Sequence, residues 1–373
     1  VEDVCGGRAL SVAAAKRSAR CEAVERHHVV HVTRPLHRAS FAALAEPALD
    51  PEALHVHRPF APAGSPQYHA DLPLRWAAGW SLTHDRKTWV PAQEVWFETL
   101  ALPDEPALVQ PTTSGCAVGN SLTEAVLHAL IELIERDAFL AAWYARRPVR
   151  EIPISALDAA GFQALLQRAQ AAHPAHAFRV LDVTSEVGLP AVWAQAVGPP
   201  GDGLRTLNAT AAGFSTAAAC RSALRELIGF FGARFTFAQR HAEAEAGLAD
   251  PFQVRTIEDH GAVAALDAAI ERFAFTYEDP TPAPVVDLLA GQTQIDLNGL
   301  IEDLTRRLAG LGSEAVFVPL TLPGYAARGL HTARVLATEL FPLTFGHQER
   351  RLAHRPRTTS LNLSPTAPPH PLL

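Results

Sequence analysis

Ser114-Gly-Cys-Ala-Val-Gly-Asn120-Ser-Leu-Thr-Glu124-Ala-Val-Leu-His128-Ala-Leu-Ile-Glu132-Leu-Ile-Glu135-Arg136-Asp137 is the stretch on which the reading of this chain turns. Ser121 followed three residues later by Glu124 has the form of a capping box, and it opens a helix predicted over residues 121–147. Leu122, Val126, Leu127, Leu130, Ile131, Leu133 and Ile134 make that helix apolar around most of its circumference, the pattern of a buried helix. Through this surround run Glu124, His128, Glu132 and Glu135, at helical spacings of four, four and three.

Buried carboxylates in that number are unfavourable unless cations pair them. Arginine can pair some, and the rest have the hard oxygen chemistry of a magnesium site, where a few carboxylates share the ion with substrate phosphates. The E-x-x-E-R pattern of Glu132, Glu135 and Arg136 also occurs 110 residues earlier, as Glu22-Ala-Val-Glu25-Arg26. That copy lies in a helix predicted over residues 11–26, free of Pro and Gly, with Ser18 four residues before Glu22 on the same face. Ordinary i,i+4 helix charges on a solvated face are the competing reading, stronger for the first helix than for the second.

Composition narrows the classes. With 373 residues, 48% hydrophobic and 19% charged, the chain is long and apolar enough for a substantial core. A net charge of −7 and the lack of a dense Lys/Arg cluster argue against nucleic acid as a partner. No run approaches the ~18 apolar residues of a membrane helix, so no membrane association is expected. The four cysteines, Cys5, Cys21, Cys116 and Cys220, form no C-x-x-C pair and read as small buried hydrophobes in a reducing, cytoplasmic setting. Lys occurs only at Lys16 and Lys87, neither in a recognisable motif. The chain has no Met, not even an initiator, and the gene product is expected to extend beyond the N-terminus given.

Elsewhere, residues 28–75 read as a long Pro- and His-rich irregular excursion and Trp80–Phe97 as short β-runs. A helix is predicted at 155–172, strands at 178–184 and 190–197, and one long helix at 216–244. Helices at 262–273 and 296–311 and a strand at 315–320 follow. The end, Ser364-Pro-Thr-Ala-Pro-Pro-His-Pro-Leu-Leu373, excludes regular helix or central strand. The fold class expected is α/β with mixed α+β character. One unit is expected over 1–363, followed by a Pro-rich tail at 364–373. His27, His28 and His31, and His55 with His57, have spacings a metal could use, but without Cys partners they are weak candidates. There is no G-x-S-x-G, P-loop or G-x-G-x-x-G.

Gly6-Gly-Arg-Ala-Leu through Ser18-Ala-Arg-Cys-Glu-Ala-Val-Glu-Arg26 resembles the opening block of the YcaO family, and Ser114–Asn120 with Glu124 and Glu132–Asp137 resembles its second block. Thr256-Ile-Glu-Asp-His260, Gly329-Leu-His-Thr-Ala-Arg334 and Phe341-Pro-Leu-Thr-Phe-Gly-His347 with Arg350 and Arg351 resemble its azoline-forming members. The resemblance implies a fold of mixed sheets flanked by helices, with an ATP cleft between helices. By position it assigns Arg8, Ser18, Glu22, Glu25, Arg26, Asn120, Glu124, Glu132, Glu135, Arg136, Arg221 and Glu226 to the nucleotide. Magnesium ligands would come from Glu22, Glu25, Glu124, Glu132 and Glu135.

Arg136, and the terminal carboxylate of Leu373 as a proton relay, would serve catalysis. The activity implied is ATP-dependent cyclodehydration. A Cys, Ser or Thr side chain of a ribosomal precursor peptide attacks the preceding amide, ATP phosphorylates the oxyanion, and phosphate leaves to give a thiazoline or oxazoline. The partners implied are the peptide, a leader-binding partner protein or fused domain, and a second copy in a homodimer.

Three features depart from the family pattern. Arg8 replaces the usual lysine, Ser222 and Gly229 stand where a third helix commonly has Arg and Gln, and the tail lacks a last proline. Arg221 or Arg225 would then have to reach round that helix. Two other readings remain open. One is a thioamide- or amidine-forming enzyme of the same fold; the other is a catalytically impaired scaffold that binds a peptide or partner.

Overall fold

Ser11 starts the first helix, Val12–Val30, because its hydroxyl accepts the Ala14 N–H at 3.3 Å and satisfies one otherwise orphaned donor. The computed structural model describes residues 6, 7, 9, 11–54, 56, 64–102, 104–110, 112–157, 161–352, 356–364 and 366–373. Arg8, Cys5, His55 and His57 lie outside them. The strands, in chain order, are β1 His37–Ser40, β2 Pro73–Ser81, β3 Arg86–Pro91, β4 Cys116–Gly119, β5 Arg150–Glu151, β6 Ala177–Asp182, β7 Ala191–Val197, β8 Thr206–Ala212, β9 Ala315–Pro319 and β10 His331–Ala337. Among the described residues ten α-helices accompany them, so the class is mixed α+β.

The chain divides into two compact units. The first comprises Val1–Leu133, Gln294–Thr344 and Arg351–Arg357. Its sheet runs β1-β2-β9-β10-β4, with β3 also paired to β2. The Val12–Val30 helix packs on β4 and β10. Val29, Trp96, Val316 and Val318 form one core cluster there, and Leu74, Trp76 and Leu108 another.

The second unit comprises Ile134–Thr293, Phe345–Arg350 and Thr358–Leu373, around the sheet β5-β6-β7-β8. The Thr216–Phe230 helix packs on β7 and β8, burying Leu224 and Leu227 against Val192 and Ala209. Phe139, Trp143, Trp193, Phe273 and Phe275 form a second, edge-to-face aromatic cluster. The named strands of both sheets pair antiparallel, where mixed sheets were expected.

The helix expected at 216–244 is broken. Thr216–Phe230 ends in a 3-10 turn, and Arg234–Gln239 and His241–Ala249 follow. Gly229 and Gly232 each weaken a helix by roughly 1 kcal/mol relative to Ala, and Phe231 instead stacks on His173 at 3.6 Å between ring centroids. The helix expected at 262–273 is Ile257–Ala264, started by a complete Thr256/Asp259 capping box, and then a 3-10 stretch Asp267–Tyr277. In the predicted excursion, β1 is regular structure and pairs with β2.

Candidate active site

In the first unit, the two predicted helix faces bring a group of carboxylates together. Glu22 is tied by its own helix: one oxygen accepts from Arg26 at 2.8 Å and the other from the Gly6 N–H at 3.1 Å. Glu25, one turn on, is half-buried. Burial holds its carboxyl well above the usual carboxylate range, and the Glu132 and Glu22 carboxylates reinforce that, against Arg334 and Arg26. Ser18 stands exposed on the same helix.

The Leu122–Ala145 helix begins as expected, with the Ser121 hydroxyl accepting the Glu124 N–H at 3.1 Å. Its reciprocal bond falls one residue early: Glu124 accepts from the N–H of Asn120 at 2.7 Å and from its amide at 3.0 Å. Asn120 and Glu124 are thereby locked to each other. Glu132, two turns further, accepts the Gly115 N–H at 3.2 Å. His128 of the same stripe is exposed.

Arg334, on β10, closes one of the blocks that resemble the azoline-forming members, but the sequence reading gives it no site role. It is 3% exposed, donates to the Thr112 carbonyl at 2.8 Å, and its Nε has no partner among the described residues. The signal was available: an arginine inside the apolar run Ala333–Ala337 implies a buried charge that needs anions. Cys116 sits near the same carboxylates, and burial, with Glu25, pushes its thiol well up, so it is a neutral thiol and no nucleophile. Cys220 is also buried; Cys21, expected buried, is exposed. His28 is a core histidine, accepting the Leu322 N–H on Nε2 at 3.1 Å, while His27 and His31 are exposed.

In the second unit, Glu135 accepts the Thr210 hydroxyl at 2.6 Å and the Ala212 N–H at 3.2 Å, and lies 3.6 Å from Arg136. Arg136 in turn lies 3.4 Å from the Thr210 hydroxyl. Both long side chains are thus fixed on β8. Arg221 and Glu226 are half-buried on the Thr216–Phe230 helix, Arg225 is exposed, and Ser222 and Gly229 are as the sequence has them.

The Pro-rich end is held by side chains of the second unit that donate to its backbone carbonyls. Trp143 Nε1 donates to the Pro368 carbonyl at 2.8 Å and Arg350 to that of Ala367 at 2.9 Å. His260 Nδ1 donates to the His370 carbonyl at 2.6 Å. Leu372 is buried and Leu373 packs on the core of the unit.

Among the described residues no three His, Cys, Asp or Glu side chains already converge at metal-holding distance. The donors nonetheless fit a magnesium–nucleotide. They are hard oxygens, Glu25 is crowded by like charge that a cation would relieve, and magnesium ordinarily takes only one or two carboxylates and leaves the rest of its shell to water and phosphate.

A family model described as "YcaO cyclodehydratase, ATP-ad Mg2+-binding" matches residues 6–340. An uncharacterized protein of Mycobacterium tuberculosis is 39% identical over 161 residues, 42% of this chain and 34% of that protein. The chain therefore spans about a third of that relative's length. A solved heterocyclase in complex with substrate and cofactor superposes with a TM-score of 0.73 at 20% identity, covering 97% of this chain and 49% of that one. YcaO from Methanopyrus kandleri, bound with AMPPCP and Mg2+, gives a TM-score of 0.62 at 20% identity, covering 90% of this chain and 78% of that one.

Proposed function

Because the chain belongs to the YcaO family, we propose that it uses ATP and magnesium to cyclodehydrate a ribosomally made peptide, converting Cys, Ser or Thr residues to thiazolines or oxazolines. The observation that carries this reading is the crowding of Glu25 by Glu22 and Glu132 beside Arg334, a group of like charges that a bound cation would relieve.

Magnesium would be held by members of the set Glu22, Glu25, Glu124, Glu132 and Glu135. When bound, magnesium and ATP would supply the phosphoryl group that turns an amide oxygen into a leaving group. The chain's own residues then have three tasks. Glu124 and Asn120, locked together, present preset polar groups at a helix start. Arg136, with Arg26 and Arg334, offers positive charge to developing negative charge, which is the main work of a protein in such transfers. The carboxylate of Leu373 takes the proton released when the substrate side chain attacks. Arg8, Ser18, Arg221 and Glu226 complete the proposed nucleotide contacts.

The test is incubation with magnesium-ATP and the precursor peptide encoded beside the gene, with its leader-binding partner where one is separate. ATP turnover and the loss of one water per modified residue are expected. Sulfur incorporation that requires added sulfide would replace this reading with thioamidation. ATP left unhydrolysed in the presence of peptide and partner would leave a binding scaffold.

A further inference from the structure

A trough of about 560 Å³ lies in the first unit, away from the carboxylates described above. Its floor is a cross-strand aromatic pair: Trp80 on β2 stands opposite Phe317 on β9, so both rings rise from the same face of the sheet. Ile301, from the Leu297–Gly310 helix, and Val126, from the Leu122–Ala145 helix, wall it. Val126 falls about 200° round its helix from Glu124, so the trough and the acidic stripe use opposite faces.

Three features point to a ligand. Trp80, which lines the trough, is 44% exposed. Thr305 lines the trough at 7% exposure, and its hydroxyl has no hydrogen-bond partner among the described residues. A helical threonine ordinarily back-bonds to the carbonyl four residues earlier; Thr305 does not, and a buried hydroxyl without a partner is unfavourable. The charged groups lining the trough are both carboxylates, Asp85 and Glu302. Asp85 already holds Trp80 Nε1 at 3.1 Å, and Glu302 is exposed at the rim.

We propose that this trough is a docking site for a segment of the substrate peptide in which an apolar residue lies next to a basic one. The apolar side chain covers Trp80 and Phe317, a Lys or Arg side chain meets Glu302 and Asp85, and a peptide carbonyl accepts the Thr305 hydroxyl. A peptide carries an apolar body, a cation and an acceptor on one scaffold, and an anionic ligand is disfavoured by the two carboxylates. The assignment rests on the reading that the substrate is a peptide.

The test is calorimetric titration of the full chain, without ATP, using a capped tetrapeptide of two leucines flanked by two arginines. The same peptide with glutamates at its ends is the control. The basic peptide is expected to bind and the acidic one to bind at least about ten-fold more weakly. Glu302→Gln, a surface change that leaves the fold alone, is expected to weaken the basic peptide about five-fold. Thr305→Val is expected to weaken it about ten-fold while the melting temperature holds or rises, because the variant no longer buries an unpaired hydroxyl. Equal binding of both peptides, or binding that neither substitution changes, would overturn the assignment. Binding in a protein that never turns over ATP would support the trough while sinking the enzymatic reading. Dehydration of peptide with no binding in this titration, and a KM unmoved by Glu302→Gln, would overturn the trough alone.

Discussion

His260 Nδ1 donates to the carbonyl oxygen of His370 across 2.6 Å. On the other side of the ring, Nε2 accepts the Gly346 N–H at 2.9 Å, so the imidazole is neutral and its tautomer is fixed from both sides. A second proton would set an N–H against the Gly346 N–H. Burial accordingly pushes His260 down to about 4, against the partial support of the His370 carbonyl and Asp259.

The folded state therefore binds the second proton more weakly than the unfolded chain, whose histidine titrates near 6.5. Stability from this group is present above that value and is lost as pH falls toward 4, by about 2 kcal/mol at pH ~5. Burial and the nearby Arg350 likewise push His347 down, to about 3, and it adds to the loss in the same direction. Chemical melts of the parent at pH ~7.5 and ~5 should show the drop. A His260→Gln variant should start lower and fall less. Identical pH slopes for the two would show that the His260 hydrogen bonds to His370 and Gly346 do not govern acid stability.

Glu25 yields the opposite sign for a substitution. Burial and the neighbouring Glu132 and Glu22 carboxylates make its charge unfavourable in the protein without ligand. Glu25→Gln should therefore raise the melting temperature of that form by about 2–4 °C, while abolishing the further rise that magnesium-ATP gives the parent. Glu132→Gln should likewise lose turnover and the nucleotide-induced rise. Differential scanning calorimetry with and without magnesium-ATP decides; variants that still gain stability from the nucleotide as the parent does would remove these carboxylates from the metal site.

Glu135 differs from Glu25 because its oxygens are already engaged, by the Thr210 hydroxyl and the Ala212 N–H. Thr210 is 2% exposed, and its hydroxyl contacts both Glu135 and Arg136, so any effect on a nucleotide would run through those two side chains. Thr210→Val keeps shape and removes the hydroxyl that orients Glu135 and Arg136, so ATP turnover should fall about ten-fold, whereas Glu135→Gln should abolish it. If Thr210→Val loses no more turnover than it loses folded protein, Thr210 has no orienting role.

The helices that carry the candidate site were legible locally: the first as a run free of Pro and Gly, the second as an apolar surround opened by a Ser121 cap that the structure contains. What escaped was structure made by tertiary burial. β8, Thr206-Leu-Asn-Ala-Thr-Ala-Ala212, has weak strand propensity and, being buried on both faces, no alternation. Its buried Asn208 is satisfied by the Trp193 and Gln195 side chains on the neighbouring strand together with the Thr206 hydroxyl on its own. The role of Arg334 escaped for the same reason, since it is meaningful only beside carboxylates more than 200 residues away in the chain. The break after Phe230 was present in the glycines at 229 and 232, but the apolar period continues across them.

The Pro-rich end supplies the sharpest test of the azoline reading. Prolines 368, 369 and 371 hold it extended, which lowers the entropy lost on ordering, and Trp143, His260 and Arg350 bond its carbonyls. Its last side chain rests against Gly261, in the Ile257–Ala264 helix. A Cβ at 261 would overlap the Leu373 Cδ2 and stand 2.7 Å from Phe237 Cζ. Gly261→Ala, which improves helix propensity by about 1 kcal/mol, should therefore keep the helix and displace the terminus. If the Leu373 carboxylate relays the proton, this variant should bind ATP as the parent does and form rings at least about ten-fold more slowly. Deleting Pro368–Leu373 should lower ring formation by orders of magnitude, and adding residues after Leu373 should do similar harm. In the deleted chain, Gly261→Ala should have no further effect, because the group that it displaces is gone. Nucleotide affinity by calorimetry and dehydrated product by mass spectrometry separate the two steps. A C-terminally extended chain that cyclises peptide at the parental rate would free the terminus of any role and favour the thioamide or scaffold reading.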